Sequence, residues 1–317
     1  MPLLIQEDQV KQLLSMSQAV ELVQDALRAL GEGRAENRPR QRVRGEAGVL
    51  HVMPASFAPF GYMGFKAYTA HHNKAQFYFH LFSARTGEYL AIIAADRLGQ
   101  IRTGAASGVA TKYLAREDAR TLGIIGVGWQ AESQLEAVCA VRSIRAARCY
   151  ARDDKRRRAF ADKLGPQLGL QIEPVDDPRQ AVLDSDIVVT ATSSAEPVLS
   201  GDWLAEGTHL NVIGSNWAQR REVDDQTIRR SNAIFVDSLE QAKMEAGDLI
   251  MAAQAGALNW ERVRELGALL AGKATGRKQP DEITLFKSIG LAIEDVAVGG
   301  WVYEQAQKAG IGRQIEL

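Results

Sequence analysis

Cysteine is nearly missing from this 317-residue chain. Cys139 and Cys149 alone cannot build a disulfide framework or a zinc site. Long apolar runs are missing as well. None approaches the ~18 residues that a membrane-spanning helix needs, so no membrane role is expected. Basic charge shows no excess, since 38 Lys and Arg face 39 Asp and Glu, which argues against a nucleic-acid surface. The five histidines are scattered, give no metal-ligand spacing, and leave the expected metal complement at none. The first residues, MPLLI, run straight into Glu7 and Asp8. That is no secretory signal, so the cytoplasm is the expected address. What is present is ordinary for a globular protein, with 46% hydrophobic and 24% charged residues. The length suits two domains at roughly 150 residues each.

Apolar residues at helical spacing predict a helix over 15–31, with Ser17 as N-cap and Gly31 as the stop. The polar, arginine-rich stretch 32–46 reads as a loop. Extended segments follow at 49–53, 64–69, 77–83 and 89–95, the last two flanking an Arg85-Thr86-Gly87-Glu88 turn. Small residues over 103–115 predict a closely packed helix, so the first 115 residues look like an α+β unit. The texture changes at Arg120. Strand patterns at 121–125, 147–151, 187–192, 210–213 and 233–237 alternate with helical ones, which argues for a parallel, doubly wound sheet. The tail 285–309 is helix-compatible and is expected to complete the first unit. The division expected is 1–118 plus 296–317 against 119–295.

Gly126-Val127-Gly128-Trp129-Gln130-Ala131 is a G-x-G-x-x-A turn between an apolar strand and a helix. The first glycine allows the tight turn, the second admits a pyrophosphate, and the small third residue lets helix and strand pack closely. Helix-start N–H groups favour the phosphate charge. In this βαβ setting the pattern predicts a dinucleotide site. An NAD site usually has an acid about 20 residues on, accepting from the ribose 2′-hydroxyl. Here the second strand ends at Ala151, 25 positions after Gly126, and Arg152 follows. A guanidinium there suits a 2′-phosphate, so NADP(H) is favoured over NAD(H). Asp153 and Asp154 argue the other way, since either could reach the ribose.

Residues 100–114 (QIRTGAASGVATKYL) and 126–131 (GVGWQA) together resemble the ornithine cyclodeaminase/μ-crystallin family. Matches at 53–55 (MPA), 64–66 (GFK), 214–224 (GSNWAQRREVD) and 284–290 (TLFKSIG) extend the resemblance from about residue 35 to the C-terminus. It implies a Rossmann domain inserted in an α+β substrate and dimerisation domain, and a homodimer. It implies a small amino or imino acid whose carboxylate is held by Arg40, Lys66 and Arg102, with Arg42 a rival to Arg40. For the dinucleotide it implies Arg102, Thr103, residues 126–131 (Gly126, Val127, Gly128, Trp129, Gln130, Ala131), Ala151, Arg152, Asp153, Thr192, Ser193, Ile213 and Ser288. Bidentate arginines suit carboxylates, and a desolvated lysine can exchange a proton near neutrality.

Family cyclodeaminases carry an Asp where this chain has Asn216, and a Glu where it has His51. An amide cannot act as a general base, and no anion remains for a distal ammonium. The expected function is therefore NAD(P)H-dependent oxidoreduction at carbon–nitrogen bonds, by an imine reductase or an amino acid dehydrogenase. Lys66, a water it holds, or His51 is the expected proton donor, with Asn216 gating the reaction type. An ammonia-releasing cyclodeaminase with bound NAD+ and a cofactor-dependent binding protein are the alternatives. His71 and His72 follow Lys66 closely, and a structural hydrogen-bonding role is the expectation for both.

Overall fold

The computed structural model describes residues 1–46, 48–71 and 74–316. His72 lies outside the described residues, and only the backbone of His71 is described. Two compact units emerge, Met1–Ala105 with Gly290–Leu317, and Ala106–Ile289. Among the described residues no helix is long and apolar enough to cross a membrane.

The first unit is built on β1 (Leu3–Ile5), β2 (Glu36–Asn37), β3 (Gln41–Arg44), β4 (Val49–Phe57), β5 (Tyr62–His71), β6 (Lys74–Ser83) and β7 (Tyr89–Ala94). The sheet order is Arg313–Gln314, β1, β7, β6, β5, β4, β2, with β3 also paired to β4. Strands β4 to β7 form an antiparallel meander. Alternation along β4 buries His51, Met53, Ala55 and Phe57. Register then aligns Met53, Lys66, Phe79 and Ile93 in one row across the sheet. Three members of that row are apolar and buried, each stabilising the fold by about 1.5–3 kcal/mol. The fourth is an ammonium. The C-terminal helix Ala292–Ala309 packs on this face.

Three differences from the sequence expectations have identifiable causes. Residues 32–46 are not all loop, because β2 and β3 pair with β4. The second helix spans Met16–Gly31 and is capped by Ser15, not Ser17. Ser15 accepts from the Gln18 N–H at 3.3 Å while the Gln18 side chain accepts from the Ser15 N–H, a reciprocal box that Ser17 is too late to form. The small-residue helix starts at Asp96 and runs to Leu114, seven residues earlier than expected. Its first N–H groups, of Asp96 and Arg97, donate to the carboxylate of distant Glu7 at 2.8 and 2.9 Å. Glu7→Ala should therefore destabilise the protein by about 1–2 kcal/mol, as for loss of a helix cap. An unchanged urea midpoint would refute this.

The second unit holds an all-parallel sheet of β8 (Thr121–Ile125), β9 (Ala146–Tyr150), β10 (Gln171–Pro174), β11 (Ile187–Thr190), β12 (His209–Val212), β13 (Ala233–Val236), β14 (Val263–Glu265) and β15 (Thr284–Lys287). Its order, β10-β9-β8-β11-β12-β15-β13-β14, reverses direction on either side of β8. This is a Rossmann-type sheet, whose ligands bind outside the strands' carboxyl ends at that reversal. The tail from Leu285 is not helical at its start. Thr284–Lys287 are all buried between β12 and β13, and the helix begins only at Ala292. Four apolar-flanked residues have no periodicity to separate strand from helix. The two units change over within the helix that starts at Asp96, and again directly after Ile289.

Candidate active site

In the first unit Arg40, His51, Lys66 and Arg102 are all buried on the same side of the sheet. Lys66 comes from β5, His51 from the neighbouring β4, and Arg40 from the turn before β3. Arg102 belongs to the second turn of its helix, not to the helix start, because that helix begins at Asp96. Burying cations without partners would be very costly. Two acids that were not expected from the sequence supply the partners. The Lys66 ammonium lies 2.8 and 3.0 Å from the Asp295 carboxylate oxygens. Arg102 reaches Glu294 at 2.7 Å through Nη1 and Asp295 at 3.3 Å through Nε. Arg40 donates to the carbonyl of Gly290 at 3.4 Å. Glu294 and Asp295 sit in the first turn of the C-terminal helix and have no exposure at all. The available signal was two adjacent acids inside an otherwise apolar run, residues 291–300 (LAIEDVAVGG).

Burial pushes the Lys66 ammonium down to about 8, assisted by Arg102 and Arg40 and opposed by Asp295. His51 is pushed down to about 4 by burial and then by Arg40 and Arg42. At neutral pH its ring is uncharged, stacked 4.3 Å from that of Tyr68. Arg42 pairs in register with His51 and is only half-buried, whereas Arg40 is buried beside Lys66. Thr103 is also buried, its hydroxyl donating to the Gly99 carbonyl one turn back at 2.7 Å.

In the second unit a cleft of about 680 Å³ opens at the carboxyl end of β8. Gly126, Val127, Gly128, Ala151, Arg152, Asp153, Thr192 and Ser193 line it, as do Arg156, Ser200 and Asp224, none of them an expected site residue. Gly126 has φ +102, and a Cβ there would lie 2.4 Å from the Ala191 carbonyl oxygen. Only glycine makes this turn. Gly128 is the N-cap of the 13-residue helix Trp129–Val141, so the helix N–H groups open toward the turn. Trp129, Gln130 and Ala131 form its first turn, and Ala131 is fully buried. Three further candidates do not line the cleft. Ile213 and Asn216 follow β12, and Ser288 follows β15, donating its hydroxyl to Asp237 at 3.1 Å.

The cleft fits a dinucleotide through its glycine cradle, open helix N-terminus and two arginines. Comparison with known proteins agrees. The sequence pattern of the ornithine cyclodeaminase/mu-crystallin family matches residues 2–310. The chain belongs to that family. Among its relatives, a Delta(1)-pyrroline-2-carboxylate reductase of Bacillus cereus is 41% identical over 234 residues, 74% of this chain and 72% of the relative. The solved Thermococcus litoralis Delta(1)-pyrroline-2-carboxylate reductase in complex with NADH and L-proline superposes with a TM-score of 0.95 at 37% identity, covering 99% of this chain and 100% of the other. An archaeal alanine dehydrogenase dimer with bound NAD gives a TM-score of 0.94 at 35% identity, covering 100% and 99%.

Proposed function

We propose that this protein is an NAD(P)H-dependent oxidoreductase that interconverts small α-imino and α-amino acids. The observation that carries this reading is the buried set Arg40, Lys66 and Arg102, whose one lysine titrates near 8. Arg40 and Arg102 hold the substrate carboxylate, and Arg40 is the clamp rather than Arg42 because it is the one buried beside Lys66. The bound nicotinamide supplies or accepts the hydride at Cα. Lys66 gives a proton at the substrate nitrogen in reduction and takes it back in oxidation. His51, uncharged at neutral pH, orients polar atoms and is not the acid. Asn216 offers no carboxylate to activate water, which separates this chemistry from cyclodeamination.

The first unit, expected from the sequence as 1–118 with 296–317, acts as the substrate and dimerisation domain, and the second, expected as 119–295, as the dinucleotide domain. Within the second, Arg152 and Arg156 favour NADP(H). A homodimer forms through the outer face of the first unit's sheet, where Phe65 stacks on His80 at 4.5 Å and Phe82 lies 4.7 Å from Tyr89. The dimeric state of the alanine dehydrogenase neighbour supports this. Free thiols at Cys139 and Cys149 agree with a cytoplasmic address. Absorbance at the nicotinamide band tests the function. Steady NADPH consumption is expected with Δ1-pyrroline-2-carboxylate or with pyruvate plus ammonia. Ammonia and proline formed from ornithine at matching rates, without net cofactor change, would establish the cyclodeaminase chemistry instead.

A further inference from the structure

Behind the cleft of the second unit lies a charged cluster that the proposed chemistry does not use. Glu222, Asp248 and Lys287 are almost wholly buried. Glu222 Oε1 accepts from the Thr192 N–H at 2.6 Å. Its Oε2 accepts from the Gly214 N–H at 2.6 Å and from the Thr190 hydroxyl at 3.0 Å. The Glu222 carbonyl accepts from the Val198 and Leu199 N–H groups at 2.7 and 3.2 Å, and both of those residues line the cleft. On the other side, Asp248 accepts from the Glu222 and Val223 N–H groups at 2.6 and 3.1 Å and pairs with Lys287 at 3.0 Å. Lys287 in turn donates to the Ser215 carbonyl at 2.8 Å. The approach is tight. A Cβ on Gly214 would stand 2.1 Å from the Thr192 carbonyl oxygen and 2.3 Å from Glu222 Oε1.

We propose that Glu222 is a positioning residue that ties the cleft-lining loop after β11 to the Gly214 turn after β12, fixing the wall of the dinucleotide site that takes its nicotinamide half. This rests on assigning the cleft to a dinucleotide. Three charges buried together are weak as a source of stability, because desolvation offsets much of their attraction. Their geometry is specific, however. Each carboxylate oxygen faces a backbone N–H of a different loop, so only an acceptor at both ends satisfies the pair. Glutamine supplies one oxygen and one NH2 group, and the latter must oppose an N–H at hydrogen-bonding distance. One loop has to move away. The adenine end, beside Arg152 and Arg156 after β9, is separated by β8 from the loops after β11 and β12 and should not respond.

The test compares two ligands by calorimetry: 2′,5′-ADP, which carries only the phosphorylated adenosine end, and NADPH. Glu222→Gln should leave the 2′,5′-ADP dissociation constant within about twofold and raise that for NADPH about tenfold or more, the effect of one lost hydrogen bond plus one opposed donor. Thr190→Val removes one of the three side-chain contacts without changing shape, so it should raise the NADPH constant by about threefold. This milder variant decides the matter if Glu222→Gln does not fold. Parallel weakening of both ligands, or unmoved NADPH affinity in a folded variant, would overturn the clamp. Failure of the unmodified protein to bind NADPH, NADH and 2′,5′-ADP alike would overturn the dinucleotide assignment and the clamp with it, whereas binding of NADH alone moves the same comparison to NADH against ADP.

Discussion

Lys66→Met should lower imine reduction by about 10²-fold or more, the range for losing a general acid. Methionine keeps the length of the stem inside the sheet's buried row, so what is removed is the ammonium. Asp295 is not left alone, because Arg102 Nε still lies 3.3 Å from it. The variant should therefore fold, though with some loss of stability, since unpairing a buried ion can cost about 3–5 kcal/mol. The pH profile separates lost proton transfer from lost packing. Lys66 is held near 8, chiefly by burial. Reduction needs the ammonium, so its kcat/KM should be flat below that pH and fall as pH rises through about 8. Oxidation of the amino acid needs the free amine, so its kcat/KM should rise through the same pH. Both limbs should vanish in Lys66→Met. They should vanish equally in Lys66→Arg, whose guanidinium keeps the charge and cannot release a proton near neutrality. A limb near pH 8 that survives in both variants would assign the proton to another group.

The parts of this site that are legible in the chain are those fixed by local rules. A glycine turn between strand and helix requires particular residues at particular offsets, so Gly126, Gly128 and Ala131 can be located from the order of residues alone. Alternation and register likewise turn Lys66 into the core once β5 is recognised. What escaped depends on residues far apart in the chain. Glu7 starts a helix 89 positions later, and no pattern around Asp96 announces it. Glu294 and Asp295 meet Arg102 and Lys66 across 192 and 229 positions. A charge in an apolar helical run shows that a partner exists, but not which one. Thr284–Lys287 escaped for a different reason. Four buried residues carry too little periodicity to be a strand rather than the beginning of a helix. Glu222 lies within the 214–224 family match, and nothing in that stretch shows that the loops after β11 and β12 converge on it.

Cofactor choice should turn on Ala151, Arg152 and Arg156. The two aspartates that could read a ribose hydroxyl are both engaged elsewhere. Asp153 caps the following helix, its Oδ1 accepting from the Arg156 N–H at 3.1 Å. Asp154 receives Arg158 Nε at 2.9 and 3.0 Å. Arg152 and Arg156 line the cleft, and their guanidinium groups make no ion pair among the described residues. Two such groups suit the charge and geometry of a 2′-phosphate. A charge-assisted contact is worth about 1.5–3 kcal/mol, or roughly ten- to a hundredfold in affinity. Replacing Arg152 with Ser should therefore weaken NADPH by that factor and leave NADH little changed. Adding Ala151→Asp places an acceptor at the strand end and a negative charge against the phosphate, so the double variant should prefer NADH. Arg156→Ser should act in the same direction as Arg152→Ser without disturbing the cap, because Asp153 bonds to the backbone N–H. Dissociation constants for both cofactors across these variants decide the matter. If the unmodified protein already binds NADH more tightly, the second Asp153 oxygen reads the ribose from the cleft while Oδ1 keeps the cap. Asp153→Asn would then be the substitution that removes the preference.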